Sequence, residues 1–114
     1  MKNEIQNLVN AIVEDYRDWT YKCRYVHDDP ESCAKIVEEF ADGIVVKEGP
    51  KYTKIYKDNG GCIWGFVVAV DTDNKFRKGD ILMPAGYAAP ARNAARGNIL
   101  DNDFDINWTG PKYL

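Results

Sequence analysis

The chain reads as an α+β protein: a long N-terminal helix and a second helix, followed by a small antiparallel β-barrel. Three observations predict this. From Ile5 the apolar residues Ile5, Val9, Ile12, Tyr16, Trp19, Cys23 and Val26 recur at alternating spacings of four and three, the repeat of one helix face. After Gly43 the pattern changes to β-branched and alternating runs punctuated by Gly, Pro, Asn and Asp, which is strand and turn grammar. A length of 114 residues suits one hydrophobic core and is too short for two independent domains. Residues 1–114 are therefore expected to form a single domain, helical over 1–43 and β over 44–114.

The first helix gains width from Leu8 and Val13 and should run about seven turns, roughly 35 Å at 1.5 Å per residue. That exceeds what a small β domain needs as a cover. Its 3.5-residue average spacing suits a two-helix seam, so the stripe serves either an intramolecular face or, as expected here, a dimer contact. Asp29-Pro30-Glu31 supplies a cap, a proline at the first helical position and an acidic first turn, which starts a second helix. Ile36, Val37, Phe40 and Ala41 give it an apolar face, and Gly43 is placed to end it.

Strands are expected at 44–46, 51–57 and 62–70, with Gly49-Pro50 and Asp58-Asn59-Gly60-Gly61 as turns. Gly65 inside CIWGFVVAV predicts a bulge or bend of the kind that curves a sheet. Residues 71–80 read as a loop and 81–83 as a short strand halted by Pro84. Residues 84–97 (PAGYAAPARNAARG) are alanine-rich but interrupted by Pro90, giving a structured loop or one helical turn. Further strands are expected at 98–100, 104–108 and 112–114, and closing them into a barrel would remove exposed edges.

The formal net charge of −3 argues against sequence-blind binding of long nucleic acids, which requires neutralising many phosphates. The average conceals an asymmetry. Residues 1–43 hold five Lys/Arg against ten Asp/Glu, whereas 44–114 hold ten against eight. Three widely spaced cysteines (Cys23, Cys33, Cys62) and the single His27 are too few soft ligands for structural zinc, and reduced, structural thiols are expected. The acidic N-terminus does not resemble a signal peptide, and no apolar run approaches a membrane span. A cytoplasmic protein without membrane contact is expected.

No nucleophile elbow, P-loop or HExxH motif occurs in the sequence, and no enzyme is expected. His27 beside Asp28 and Asp29 fits a helix C-terminal role better than general-base catalysis. Asp71-Thr72-Asp73-Asn74 lacks the glycine and distal glutamate of a calcium loop; no metal or cofactor is expected. The informative stretch is 74–98, with Lys75, Arg77, Lys78, Arg92 and Arg96 against Asp80 alone, a candidate anion footprint. Arg92 and Arg96 offer planar forks for phosphate; Asn74, Asn93 and Asn98 offer directional hydrogen bonds. Trp64, Phe66, Phe76 and Tyr87 are candidate stacking groups. Stacking contributes about 1–3 kcal/mol per base and a charge-assisted phosphate contact about 1.5–3 kcal/mol, enough together for one small nucleotide. The alternatives are that Trp64 and Phe66, read as sharing one strand face, are core residues, and that Arg92 and Arg96 bridge to the acidic helices of a neighbouring subunit.

The long acidic helix, the segments IWGFVVAV and KFRKGDILMPAGYAAPARNAARGNIL, and the terminal NWTGPKYL resemble the phage-encoded Thoeris anti-defence family, the first-described sponges for cyclic ADP-ribose signals. The resemblance runs from about residue 5 to the C-terminus and is most specific over 76–100. It implies a protein of the infected bacterial cytoplasm that sequesters glycocyclic ADP-ribose, made by TIR-domain proteins, without cleaving it. It further implies homodimers through the helices with pockets at subunit interfaces; some members form hexamers and bind cyclic oligonucleotides at separate sites. Carried onto this chain, the adenine-stacking aromatic falls on Trp64 or Phe66, the asparagine on Asn74 and the phosphate-holding arginines on Arg92 and Arg96. Two other classes compete: a β-barrel that binds single-stranded nucleic acid, and a phage structural or adaptor subunit.

Overall fold

The computed structural model describes residues 2–24, 30–57, 62–86, 89–92, 94–101, 103–104 and 106–111. Among these, helices α1 (Lys2–Arg24) and α2 (Pro30–Asp42) precede strands β1 (Ile44–Glu48), β2 (Tyr52–Lys57), β3 (Cys62–Val68), β4 (Ile81–Leu82), β5 (Gly97–Asn98), β6 (Asp103–Phe104), β7 (Ile106–Asn107) and β8 (Gly110–Pro111). The protein is α+β. Strands β1 to β4 form one antiparallel sheet in sequence order, and β5–β6 and β7–β8 are separate two-stranded pairs. No closed barrel is traced by these pairings. Among the described residues, no helix is long and apolar enough to cross a membrane.

Helix α1 packs on the sheet through Ile5, Leu8 and Ile12, which join Ile55, Trp64, Val67, Ile81, Ile99 and Ile106 in one core cluster. Burying each of these three helix side chains is worth about 1.5–3 kcal/mol. The buried line then passes to Thr20 instead of Trp19, which stays 40% exposed. The expected stripe continues through Tyr16 and Trp19, which pack against Phe40 and Trp108, while the Cys23 side chain and Val26 lie outside the described residues. Helix α2 buries Cys33 and Val37 and ends where the Gly43 amide donates to the carbonyls of Glu39 (3.1 Å) and Phe40 (3.2 Å), as its sequence predicts. The Asp29 cap, His27, the 58–61 turn and the 112–114 strand lie outside the described residues.

The Thr20 hydroxyl is buried without a hydrogen-bond partner among the described residues. Losing hydration without compensation costs about 1–3 kcal/mol. Thr20→Val, which keeps the shape and removes the polar atom, is expected to raise the thermal midpoint. A lower midpoint on calorimetric unfolding would contradict this.

The outer face of the sheet is covered too. Phe66 and Val68 of β3 and Leu82 of β4 pack with Phe76 from the loop after β3, so β3 is buried on both faces. Here a local irregularity corrects the sequence reading. Along β2–β3, Ile55 pairs with Gly65 but Tyr56 pairs with Ile63, leaving Trp64 as the extra residue of a bulge. A bulge advances the alternation of side chains by one. Trp64 therefore lies in the helix-side cluster, and Phe66 lies in the opposite one. The two do not share a face. Gly65 suits the bend because a Cβ there would sit 3.0 Å from both the Leu82 carbonyl and Pro111 Cγ, forcing them to shift by a few tenths of an ångström.

Residues 84–96 form a structured loop without a helical turn among the described residues. From Ala91 to Ile99 the chain runs back along β4 and its flanks. The amides of Ala91, Arg96 and Ile99 donate to the carbonyls of Met83, Ile81 and Gly79 at 2.6, 2.8 and 3.0 Å, and Asp80 bridges to Asn98. The expected strand at 98–100 is confined to Gly97–Asn98, with Ile99 and Leu100 turning away. The single strand expected at 104–108 is two short ones, because β6 pairs with β5 and β7 with β8.

Candidate nucleotide-binding site

The cationic segment is shaped by two aspartates. Asp80, nearly buried, accepts the Arg77 amide (2.9 Å) and the Asn98 side-chain amide (2.8 Å). Asn98 also donates to the Lys78 carbonyl (3.0 Å) and accepts the amides of Leu100 (2.8 Å) and Asp101 (3.2 Å). Asn98 is thus a buried joint between two loops and is committed within the protein. Arg77 pairs with Asp101 at the surface.

Asp73 is the second organiser. Its Oδ1 accepts the amides of Lys75 (2.8 Å) and Phe76 (3.0 Å), a side-chain turn that aspartate forms readily. The same carboxylate takes both arms of the Arg92 guanidinium at 2.8 Å each, the bidentate geometry that arginine favours. Arg92 also donates to the Tyr52 hydroxyl, and its guanidinium carbon stands 5.0 Å from the centre of the Phe76 ring. The Lys75 ammonium donates to the Arg92 carbonyl at 2.6 Å. Arg92 thereby ties the 84–96 loop to β2 and to the 71–80 loop.

The electrostatics follow from this geometry. The Arg92 fork, and then the two backbone amides, hold the Asp73 carboxyl far below the usual carboxylate range despite its burial. The hydrogen-bonded carboxylate correspondingly raises the Arg92 guanidinium. The Asp73 side chain is shielded from solvent, whereas Lys51, 3.4 Å from Asp73 Oδ2, has a half-exposed side chain.

Two clefts meet at Pro50 and Lys51. One, about 590 Å³, is lined by Pro50, Lys51, Val70, Thr72, Asp73 and Asn74. The other, about 260 Å³, is more apolar and includes Tyr52 and Phe66 in its wall. Small-molecule sites commonly combine an apolar wall with a few convergent polar groups, and these clefts divide the two between them. No protein-family model, curated protein or solved structure matches this chain.

The sequence-predicted site residues separate accordingly. Phe66, Asn74 and Arg92 converge around Tyr52 and Asp73: Phe66 meets the Tyr52 ring edge-on at 6.1 Å, Asn74 lines the larger cleft, and Arg92 bridges behind it. Trp64 is on the other face, 3% exposed, with its indole N–H donating to the Asn107 carbonyl at 2.9 Å. Arg96 sits beside β4, and its guanidinium is bonded to the Ala94 carbonyl. Tyr87 and Asn93 lie outside the described residues. Sequence reasoning missed Lys51, Tyr52 and the ordering role of Asp73. The signal for Asp73 was its position two and three residues before Lys75 and Phe76, the spacing of a side-chain turn.

A second feature was legible only as a helix stripe. Tyr16 and Trp19 of α1, Phe40 of α2 and Trp108 form an aromatic cluster, with ring centres 4.0 Å apart for Tyr16–Phe40 and 5.0 Å for Trp19–Trp108. Asp15 fixes Trp108 by accepting its amide at 2.7 Å. The Lys57 ammonium lies over the rings of Phe40 and Trp108 at 5.1 and 5.2 Å, and a cleft of about 330 Å³ opens beside the cluster.

Proposed function

We propose that the protein binds and sequesters a cyclic ADP-ribose-type signalling nucleotide, glycocyclic ADP-ribose, without cleaving it, and so acts as a phage anti-defence protein against Thoeris in the infected host's cytoplasm. The observation that carries this reading is the junction at Lys51 of a cleft walled by Tyr52 and Phe66 with a cleft walled by Lys51 and Asn74. The first offers the half-buried Tyr52 ring to a base, with Phe66, itself 3% exposed, packed behind it; the second offers a cation and an amide to a pyrophosphate. The sequence resemblance over 76–100 supplies the identity of the nucleotide. Sequestration lowers free signal by mass action, so the downstream effector stays silent.

In this reading the stacking aromatic is Trp64 or Phe66, of which Phe66 lies on the side of the clefts, Asn74 contacts the ligand, and Arg92 and Arg96 hold the phosphates. The strands belong to one curved, barrel-like layer, supported by the run of 91–99 along β4. Homodimers form through the N-terminal helices, with hexamers as a further assembly. Trp19 of α1, 40% exposed at the edge of the aromatic cluster, supports a second subunit there.

The test is direct. Incubation with glycocyclic ADP-ribose should deplete the free nucleotide, heating should return it with unchanged mass, and light scattering should give a dimer or a multiple of it. Recovery of a linear or hydrolysed product would show an enzyme. Failure to deplete would end the reading.

A further inference from the structure

We infer that the Asp73 carboxylate and the Tyr52 hydroxyl are positioning groups for the ligand's phosphate. They hold Arg92 so that one edge of its guanidinium, Nε–H with the adjoining Nη2–H, is the edge that takes the anion. The inference rests on the nucleotide reading above and deepens it, giving roles in the site to two groups that do not themselves touch the phosphate.

A guanidinium carries five N–H donors in one plane. Among the described residues, three of those of Arg92 are committed: Nη1 and Nη2 each give one to Asp73 at 2.8 Å, and Nη1 gives its second to the Tyr52 hydroxyl. The two that remain, Nε–H and the second Nη2–H, project in parallel from one edge. That edge is the other bidentate fork an arginine can offer to phosphate. The rest of the residue is fixed as well. The Phe76 ring stands 5.0 Å from the guanidinium carbon, and the Lys75 ammonium holds the Arg92 carbonyl at 2.6 Å. The Asp73 side chain is wholly shielded from solvent while that of Arg92 is 33% exposed, so an arriving anion reaches the arginine and not the carboxylate behind it. The phosphate therefore adds to the Asp73–Arg92 pair instead of displacing Asp73. Pre-organisation of this kind raises affinity by lowering the ordering cost of binding.

The sign of one substitution separates positioning from charge balance. Asp73→Asn removes a negative charge beside the site, which by Coulomb attraction alone would tighten anion binding. Because Asp73 aims Arg92, the change is expected instead to weaken glycocyclic ADP-ribose binding roughly tenfold, the effect of one charge-assisted contact. Tyr52→Phe keeps the ring in the cleft wall and removes only the hydroxyl; it should weaken binding about threefold, the scale of a neutral hydrogen bond, with little change in thermal midpoint. The Arg92 Nε–H resonance, assigned by its loss in Arg92→Lys, is a readout that a purely structural role would not move. It should shift when glycocyclic ADP-ribose or inorganic pyrophosphate is added to the unmodified protein, and shift less at the same concentration in both variants. Tighter or unchanged binding in Asp73→Asn, or a bound nucleotide that leaves the Nε–H resonance in place, would overturn the inference and leave the nucleotide reading intact. Should Asp73→Asn fail to fold, Tyr52→Phe decides the matter through affinity and the same resonance. A pyrophosphate-induced shift that is lost in the variants, with no response to glycocyclic ADP-ribose, would uphold the anion edge and end the nucleotide reading. No response to either probe would overturn both.

Discussion

Arg92→Ala is expected to lower the thermal midpoint by roughly 10 °C, the scale on which removing one partner of a shielded ion pair destabilises a small domain. The substitution strands the Asp73 carboxylate with two amides and one distant ammonium. It also frees the 84–96 loop from Tyr52 and Phe76. Arg92→Lys should recover little, because an ammonium cannot reproduce the fork. A pH series gives an independent reading. The folded-state pKa of Asp73 is depressed, so its stabilising contribution is fully present above the ordinary aspartate value of about 3.9 and is lost as pH falls below it. The unmodified protein should therefore lose stability steadily on acidification below about pH 5. Arg92→Ala should begin less stable at neutral pH and show a shallower acid limb. A midpoint unchanged at pH 7, with affinity for the nucleotide lost, would leave Arg92 with the single role of phosphate contact.

Trp64→Ala is expected to cost about 3–5 kcal/mol, the range for truncating a buried aromatic, and to leave the protein partly unfolded at 37 °C. Trp64 fills the core between α1 and β3, and its indole N–H holds the β7 carbonyl of Asn107. Trp64→Phe keeps much of the volume and loses only that bond, so it should fold. Its affinity for glycocyclic ADP-ribose should match the unmodified protein, whereas Phe66→Leu, altering the wall of the smaller cleft, should weaken it. Denaturant titration and calorimetric binding on the same preparations decide the matter. Weak binding in a stable Trp64→Phe variant would place the stacking aromatic on the helix side of the sheet.

These two residues show where sequence reading stops. Trp64 and Phe66 are two apart, and a regular strand would set them side by side. Gly65 signalled a bulge, but the residue that a bulge leaves unpaired depends on the partner strand, here the step from Ile55 to Tyr56. Similarly, Trp19 falls on the arithmetic stripe of α1, yet the buried line shifts to Thr20. The spacing marks a face and leaves open what packs against each end of it.

The segment 74–98 was visible as a concentration of positive charge because composition is a local property. Which of its cations is held in an ion pair is not local. Arg92 is neutralised by Asp73, nineteen residues earlier, while Lys51, far outside the segment, adjoins the same carboxylate. By itself the sequence determined the two helices, the antiparallel sheet, the end of α2 at Gly43 and the bulge at Gly65, all set by periodicity and backbone preference within a few residues. Only the tertiary structure decided which face each aromatic takes and which positive charges are held in ion pairs, because both depend on strand register and ion pairing across long stretches of chain.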